Sequence, residues 1–423
     1  MCSTDGVCYI NSGNDVPQIW ERTASVLNAD FQNVTTSGNY WPASQTARVM
    51  RPFREFMISA DIDDGTDRNP WLLQWSDASL PFTEPEWITT ASNSAGDKPF
   101  SENGGYIKDF LPMRGSLIVY REDTTWVMRY IGGNDVFAFD QIFSEYGCLH
   151  TRCVKPFGNG MHFVVTTGDV IVHDGTTPKS IVDRRTRDKI FDNIDTDNYE
   201  TSFVVPNYRK DEIWFCYPVS GSDLPNVAAR WHIKTNSWSF RSLSDISHIG
   251  YGVLPGQGTG PWSTDTDTWA SDTTTWNEGK YNPTVQTLLG CHQEGTAANS
   301  NLFEMDTGST FNGANMSVML ERTGLTVLAT GTNGYITDES RMKHCQAIWP
   351  RVTGGPVNIS VGAADQVGEA YKWDGPYSFN PASDYKVDVR VTGRLLGVRF
   401  SSASNVSWKL NGYDLDVVSR GNR

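Results

Sequence analysis

Three stretches place chemically useful side chains close together along the chain. Cys148, His150 and Cys153 are the tightest group of metal-ligating types. Three ligands along one short strand edge do not converge easily on a single ion, so they read as small buried side chains and not as a metal centre. Between Asp183 and Asn198, Arg184, Arg185, Arg187 and Lys189 form a basic run of the kind that contacts phosphates. Acids from Asp183 to Asp197 offset it, and the stretch reads as a short helix with a solvated, mixed-charge face. In the third stretch Trp262, Trp269 and Trp276 recur every seven residues, with Asp265 and Asp272 three residues after the first two. Asp265, Asp267 and Asp272 are calcium-type ligands, but the glycine-punctuated loop and terminal Glu of a calcium loop are missing. The Thr, Ser and Asp content opposes a helix, so tandem turns are expected there, with side chains bonding the local backbone.

Ser263 to Trp269 comes near the Asp-box of sialidases, S-x-D-x-G-x-T-W. It lacks the glycine, its Trp arrives one residue early, and it occurs in tandem instead of once per blade. There is no G-x-S-x-G elbow, no phosphate-cradling G-x-x-x-x-G-K-[ST] and no H-E-x-x-H. A carboxylate pair at glycosidase spacing is an arrangement only the folded chain can make. The expectation is therefore a protein that is not an enzyme, with no catalytic, cofactor-binding or metal-binding residues and no cofactor.

The elements that carry these stretches follow a repeated pattern. Pro112 leads into Ser116–Tyr120, a polar turn at Arg121–Thr124, and Thr125–Tyr130, a hairpin of short runs rich in β-branched and aromatic residues. Pro52, Pro156 and Pro206 lead into equivalent hairpins, at separations of 60, 44 and 50 residues along the chain. A β repeat near that period is the mark of propeller blades, each too small to bury its face alone. Trp126, Trp214 and Trp231 are expected as buried blade residues. From Met316 the alternation is cleaner, as at Val357, Ile359 and Val361, with turns at Thr392–Arg394 and at Asn411-Gly412, and it describes an antiparallel sandwich. The reading is all-β: a β-propeller-like domain over 1–313, with loop insertions near 76–106 and 254–290, then a C-terminal β-sandwich over 314–423.

Composition narrows the class. Aromatic residues make up 12% of 423, too many for a disordered chain. No apolar stretch is long enough to span a membrane, and no secretory leader is expected at the N-terminus. Seven scattered cysteines argue against a disulfide framework and for a reducing compartment. The net charge is −14, yet residues 315–423 carry 12 Lys and Arg against 10 Asp and Glu, so the acidity lies in the rest of the chain. An acidic body repels polyanions and suits a surface that nucleic acid passes without adhering.

Several motifs together resemble one family. Tyr40–Ser44, Arg51–Phe53, Tyr120–Gly133, Val172–Ile181, Lys210–Cys216, the Trp/Asp/Thr repeat and the closing Gly393-Arg394, Trp408, Gly412–Asp416 and Gly421 resemble bacteriophage tail structural proteins. The nearest role is the tail nozzle, or tail tubular protein B, of short-tailed phages. That resemblance implies a homohexameric ring that extends the DNA ejection channel and docks to an adaptor on the portal side and to tail fibres or spikes. Double-stranded DNA would pass the lumen without sequence-specific binding, and Asp and Glu of the blade region would line it. The protein would fold in the host cytoplasm and reside in the virion tail. A receptor- or carbohydrate-binding tail protein, and a propeller glycosidase, are the alternatives.

Overall fold

The computed structural model describes the chain except residues 1, 5, 24–25, 28–30, 103–104, 134, 159, 220, 253–285, 293–300, 309, 312–313, 332–333 and 422–423. The chain divides into two compact units, Met1–Met305 and Asp306–Arg423. The first is a β-propeller-like repeat domain and the second an antiparallel β-sandwich.

In the first unit the described strands form six antiparallel sheets that follow one another along the chain. Four of them are plain four-stranded meanders, opening with Thr46–Phe53, Ile107–Met113, Val154–Phe157 and Phe203–Asn207. Each of these opening strands contains one of the four repeat prolines, at the equivalent place just before the first hairpin turn. The sheets before and after them open with Cys2–Thr4 and Ile246–Gly252. The opening strand of each sheet lies beside that of the next, which makes these the inner strands of the blades.

That placement explains the prolines. Pro52 faces Met57 on the second strand, and the Met57 N–H and C=O turn the other way, to Ser76 Oγ at 3.0 Å and Ser76 N at 2.9 Å. The proline nitrogen therefore points away from the ladder, where an edge strand loses nothing by lacking a donor. The turns that follow need left-handed backbone, supplied by Arg54, by Arg114 with Gly115, by Gly158 and by Asp211.

Hydrophobic cores fill the spaces between successive blades. Val7, Tyr9 and Ile19 pack on Met50, Met57 and Ile62. Val49, Phe53 and Ile58 pack on Phe110, Leu117 and Val119. Ile118, Phe163, Val165, Ile213 and Phe215 continue the series, and Phe203 and Trp214 close on Ile246 and Leu288. Burying such faces between neighbours is what a single small sheet cannot do alone.

Three expectations change. Residues 76–106 are more than a loop: Gly96–Pro99 is the fourth, polar edge strand of its blade, and Trp87 is buried edge-on against Trp41 at 4.6 Å. Trp214 and Trp231 are buried, but Trp126 is only partly so, because it sits on the third strand beside Phe100. Asn411-Gly412 is no turn. It lies inside the single strand Trp408–Ser419, where long pairing with Lys343–Gly354 overrides the local turn preference.

In the second unit, Met319–Leu325, Leu395–Ser402, Val357–Ala364 and Lys372–Phe379 form one sheet, in that order. Val387–Gly393, Lys343–Gly354 and Trp408–Ser419 form the other. Ile359, Val361, Val398 and Phe400 meet Cys345, Ile348, Val389 and Val391 in the core between them. The turn at Thr392–Arg394 carries the chain from one sheet to the other. The helix Arg184–Phe191 falls where the sequence places one.

Candidate functional site

The inner strands carry an unusual load of charge. Arg51, on Thr46–Phe53, reaches Asp109 on the neighbouring Ile107–Met113 with Nε and Nη2, both at 2.8 Å. Asp109 is fully buried and also accepts the N–H of Phe110 at 2.8 Å and of Arg152 at 3.0 Å. Its carboxylate holds the Arg51 guanidinium above its ordinary range. Arg152 adopts a left-handed backbone, φ 74°, uncommon for a residue with a side chain, and its carbonyl accepts the N–H of Val204 at 2.9 Å. Lys155 lies three residues on, in the inner strand of the next blade.

A second charged layer adjoins this one. Asp61, in a bulge with φ 56°, is gripped by Arg68 at 2.7 and 2.5 Å and approached by Arg48 at 3.9 Å. Arg48 also lies 3.7 Å from Glu200, which stands 3.9 Å from His150. Lys108 pairs with Glu122 at 2.9 Å. The carboxylates of both layers are thus matched by cations. Among the described residues, hydrogen bonds from nearby backbone and side chains hold Asp64, Asp174, Asp183 and Asp195 below the ordinary carboxylate range.

Behind these layers, a buried chain of polar groups links two blades. His162 Nε2 donates to the carbonyl of Pro112 at 3.1 Å, so its Nδ1 is the acceptor for the Tyr120 hydroxyl at 2.7 Å. His173 Nδ1 accepts the Gly175 N–H at 3.1 Å, which leaves Nε2 to donate to Tyr120 at 2.8 Å. Burial pushes both imidazoles down to about 4 and the phenol well up, so the chain is neutral.

The sandwich has its own candidate. A cleft of about 330 Å³ at one edge is lined by Asp365, Glu369, Lys372, Trp373, Asp374 and Arg390, among others. Trp373 lies over Gly362, where a Cβ would come within 2.8 Å of the indole, beside Tyr371 with ring centres 5.8 Å apart. Arg399 stacks on the indole at 4.1 Å and pairs with Glu321 at 2.7 Å.

The stretches singled out from the sequence behave variously. Cys148 and Cys153 are buried thiols, pushed up by desolvation, and among the described residues no group of metal-ligating side chains converges. In the basic helix, Arg187 pairs with Asp169 at 3.0 Å and Lys189 sits 4.0 Å over the Phe240 ring, a mixed-charge face. Trp262, Trp269, Trp276 and Asp265, Asp267 and Asp272 lie outside the described residues. The axial charges were not anticipated, although a signal existed. Arg51 and Lys155 each immediately precede a repeat proline, and Arg48, Lys108 and Arg152 each stand four residues before one.

The fold and the axial site define an all-β protein, a propeller-like repeat unit joined to an antiparallel sandwich. No family model and no curated protein matches the chain. Among solved structures it is similar to an exo-β-1,3-galactanase from Phanerochaete chrysosporium, at 10% identity over 98% of this chain and 96% of that one, with a TM-score of 0.26. It is also similar to an apocarotenoid oxygenase from Synechocystis, at 9% identity over 68% and 64% of the chains, with a TM-score of 0.33. Likeness at this level carries nothing about activity.

Proposed function

We propose that the chain is a structural protein of a phage tail, the subunit of a hexameric nozzle ring that extends the DNA ejection channel and docks to an adaptor and to tail fibres. The observation that carries this reading is the edge strand Met319–Leu325. Leu320 pairs with Phe400, on the core-facing side of its sheet, yet it is 49% exposed, and Met319 beside it is 60% exposed. Among the described residues this core-facing position has no core above it and its strand is paired on one side only, a liability in a solitary molecule and a seat for a neighbouring copy in a ring. The matched axial carboxylates support a scaffold over a propeller glycosidase. The overall acidity suits a wall that exiting DNA does not grip.

The test is the oligomeric state of the purified chain by cryo-EM and light scattering. Six-fold rings that fall to single subunits in Leu320→Glu are expected, and a wild-type chain that stays monomeric at high concentration ends this reading.

The sandwich cleft favours a second reading, a carbohydrate-binding tail protein. Asp365, Glu369 and Asp374 with Lys372 and Arg390 offer hydrogen-bond partners to sugar hydroxyls, and Trp373, packed on Gly362 with Arg399 over its ring, lines the same cleft. Binding to host surface glycans that disappears in Trp373→Ala would favour it.

A further inference from the structure

We propose that the axis of the propeller-like unit is a binding site for a small oxyanion of phosphate or sulfate chemistry, held by Arg51, Arg152 and Lys155. Three inner-strand regions, each from a different blade, supply charge to one place: Arg51 from the second sheet, Asp109 from the third, and Arg152 with Lys155 at the entry to the fourth. One carboxylate thus takes the Arg51 guanidinium and the Arg152 backbone N–H, with Lys155 three residues on in the adjoining inner strand. The oxygens of that carboxylate are already taken by Arg51 and by the N–H groups of Phe110 and Arg152. Among the described residues neither the Lys155 ammonium nor the Arg152 guanidinium has a carboxylate within salt-bridge distance; the salt bridges in this layer run to Arg51 alone.

Among the described residues the cations here outnumber the carboxylate, and an unmatched cation in a partly buried place is costly unless an anion joins it. Burial first, and then the charge of Arg51, pushes the Lys155 ammonium below its ordinary range. Desolvation, followed by repulsion from Arg152 and Lys155, pushes His248 on the inner strand Ile246–Gly252 down to about 4. The strained backbone of Arg152 holds its N–H on Asp109, and strain of this kind persists where the surroundings over-determine a residue. Guanidinium forks and an ammonium match a tetrahedral oxyanion, and an acidic protein surface makes this local excess of cation stand out.

The experiment is calorimetric titration of the full chain with inorganic phosphate at constant ionic strength, with sodium chloride as the control, alongside thermal melting. Binding to the wild-type chain is expected, with a melting temperature that rises with phosphate concentration. Lys155→Met is expected to weaken phosphate binding about tenfold or more, and to melt higher than wild type when no phosphate is present, because it removes an unmatched cation. Arg152→Gln serves the same purpose should Lys155→Met fail to fold. A wild-type chain that responds to phosphate no more than to chloride overturns the proposal, as does an unchanged affinity in a folded variant. A short DNA duplex in place of phosphate is expected to give no response that depends on Lys155; if it does, the site reads a nucleic-acid backbone and the small-ion assignment is wrong.

Discussion

Asp109 and Arg51, 58 residues apart in the chain, face each other across two blades through a two-pronged ion pair, with both bonds at 2.8 Å. Because Asp109 also accepts the Arg152 N–H, one carboxylate ties three successive blades together. Removing one partner of a buried pair leaves the other charge uncompensated. Asp109→Asn should therefore cost about 3–5 kcal/mol in urea unfolding. Adding Arg51→Gln to it should recover part of the loss, and strictly additive effects would show that the pair does not act as a unit.

The Tyr120 chain makes stability depend on pH in a definite direction. His162 and His173 titrate near 4 in the folded protein and at their ordinary 6.5 when unfolded, so the unfolded chain takes up protons first. The contribution of the neutral imidazoles is complete above pH 6.5 and is lost progressively as pH falls toward 4. Melting temperatures between pH 7 and pH 4 should decline accordingly. Tyr120→Phe should cost about 1–3 kcal/mol at pH 7, since it leaves buried ring nitrogens without partners. A flat melting profile from pH 7 to 4 would contradict the neutral assignment.

Tryptophans in the blades should differ in weight. Trp214 is fully buried between the fifth and sixth sheets, with Nε1 bonded to Glu212 at 2.8 Å, whereas Trp126 is only partly covered. Trp214→Ala should cost about 3–5 kcal/mol. Trp126→Ala should cost clearly less, and equal losses in chemical denaturation would mean that Trp126 is better packed than its exposure indicates.

On the sandwich, Trp373 rests on a floor of glycine. Gly362→Ala would bring a methyl group within 2.8 Å of the indole ring and push it off the sheet. Quenching of tryptophan fluorescence by acrylamide should increase in that variant while the core of Ile359, Val361 and Val398 keeps the domain folded. Unchanged quenching would show that the ring has room to adjust where it lies.

Much of the fold could be read from the residues themselves. Period-2 alternation at Val357–Val361 and the proline-led hairpins are local patterns, and in the blades the backbone obeyed them because each strand pairs with its nearest neighbour in the chain. Local reading failed where pairing at long range took over, as at Asn411-Gly412 inside Trp408–Ser419, and where a polar edge strand, Gly96–Pro99, carries no apolar pattern. The axial site was least legible. A charge beside a proline reads as surface, and it becomes an axial charge only once its strand is the inner one of a blade.

By itself, then, the sequence determined an all-β chain, the position of each blade hairpin and the change to a sandwich in the C-terminal part, because these rest on side-chain alternation and on the fixed backbone of proline. Tertiary structure alone decided which charges meet. The distant partners of Asp109 come from 58 residues before it and 43 after, and electrostatic energy follows separation in space, which the order of residues does not encode.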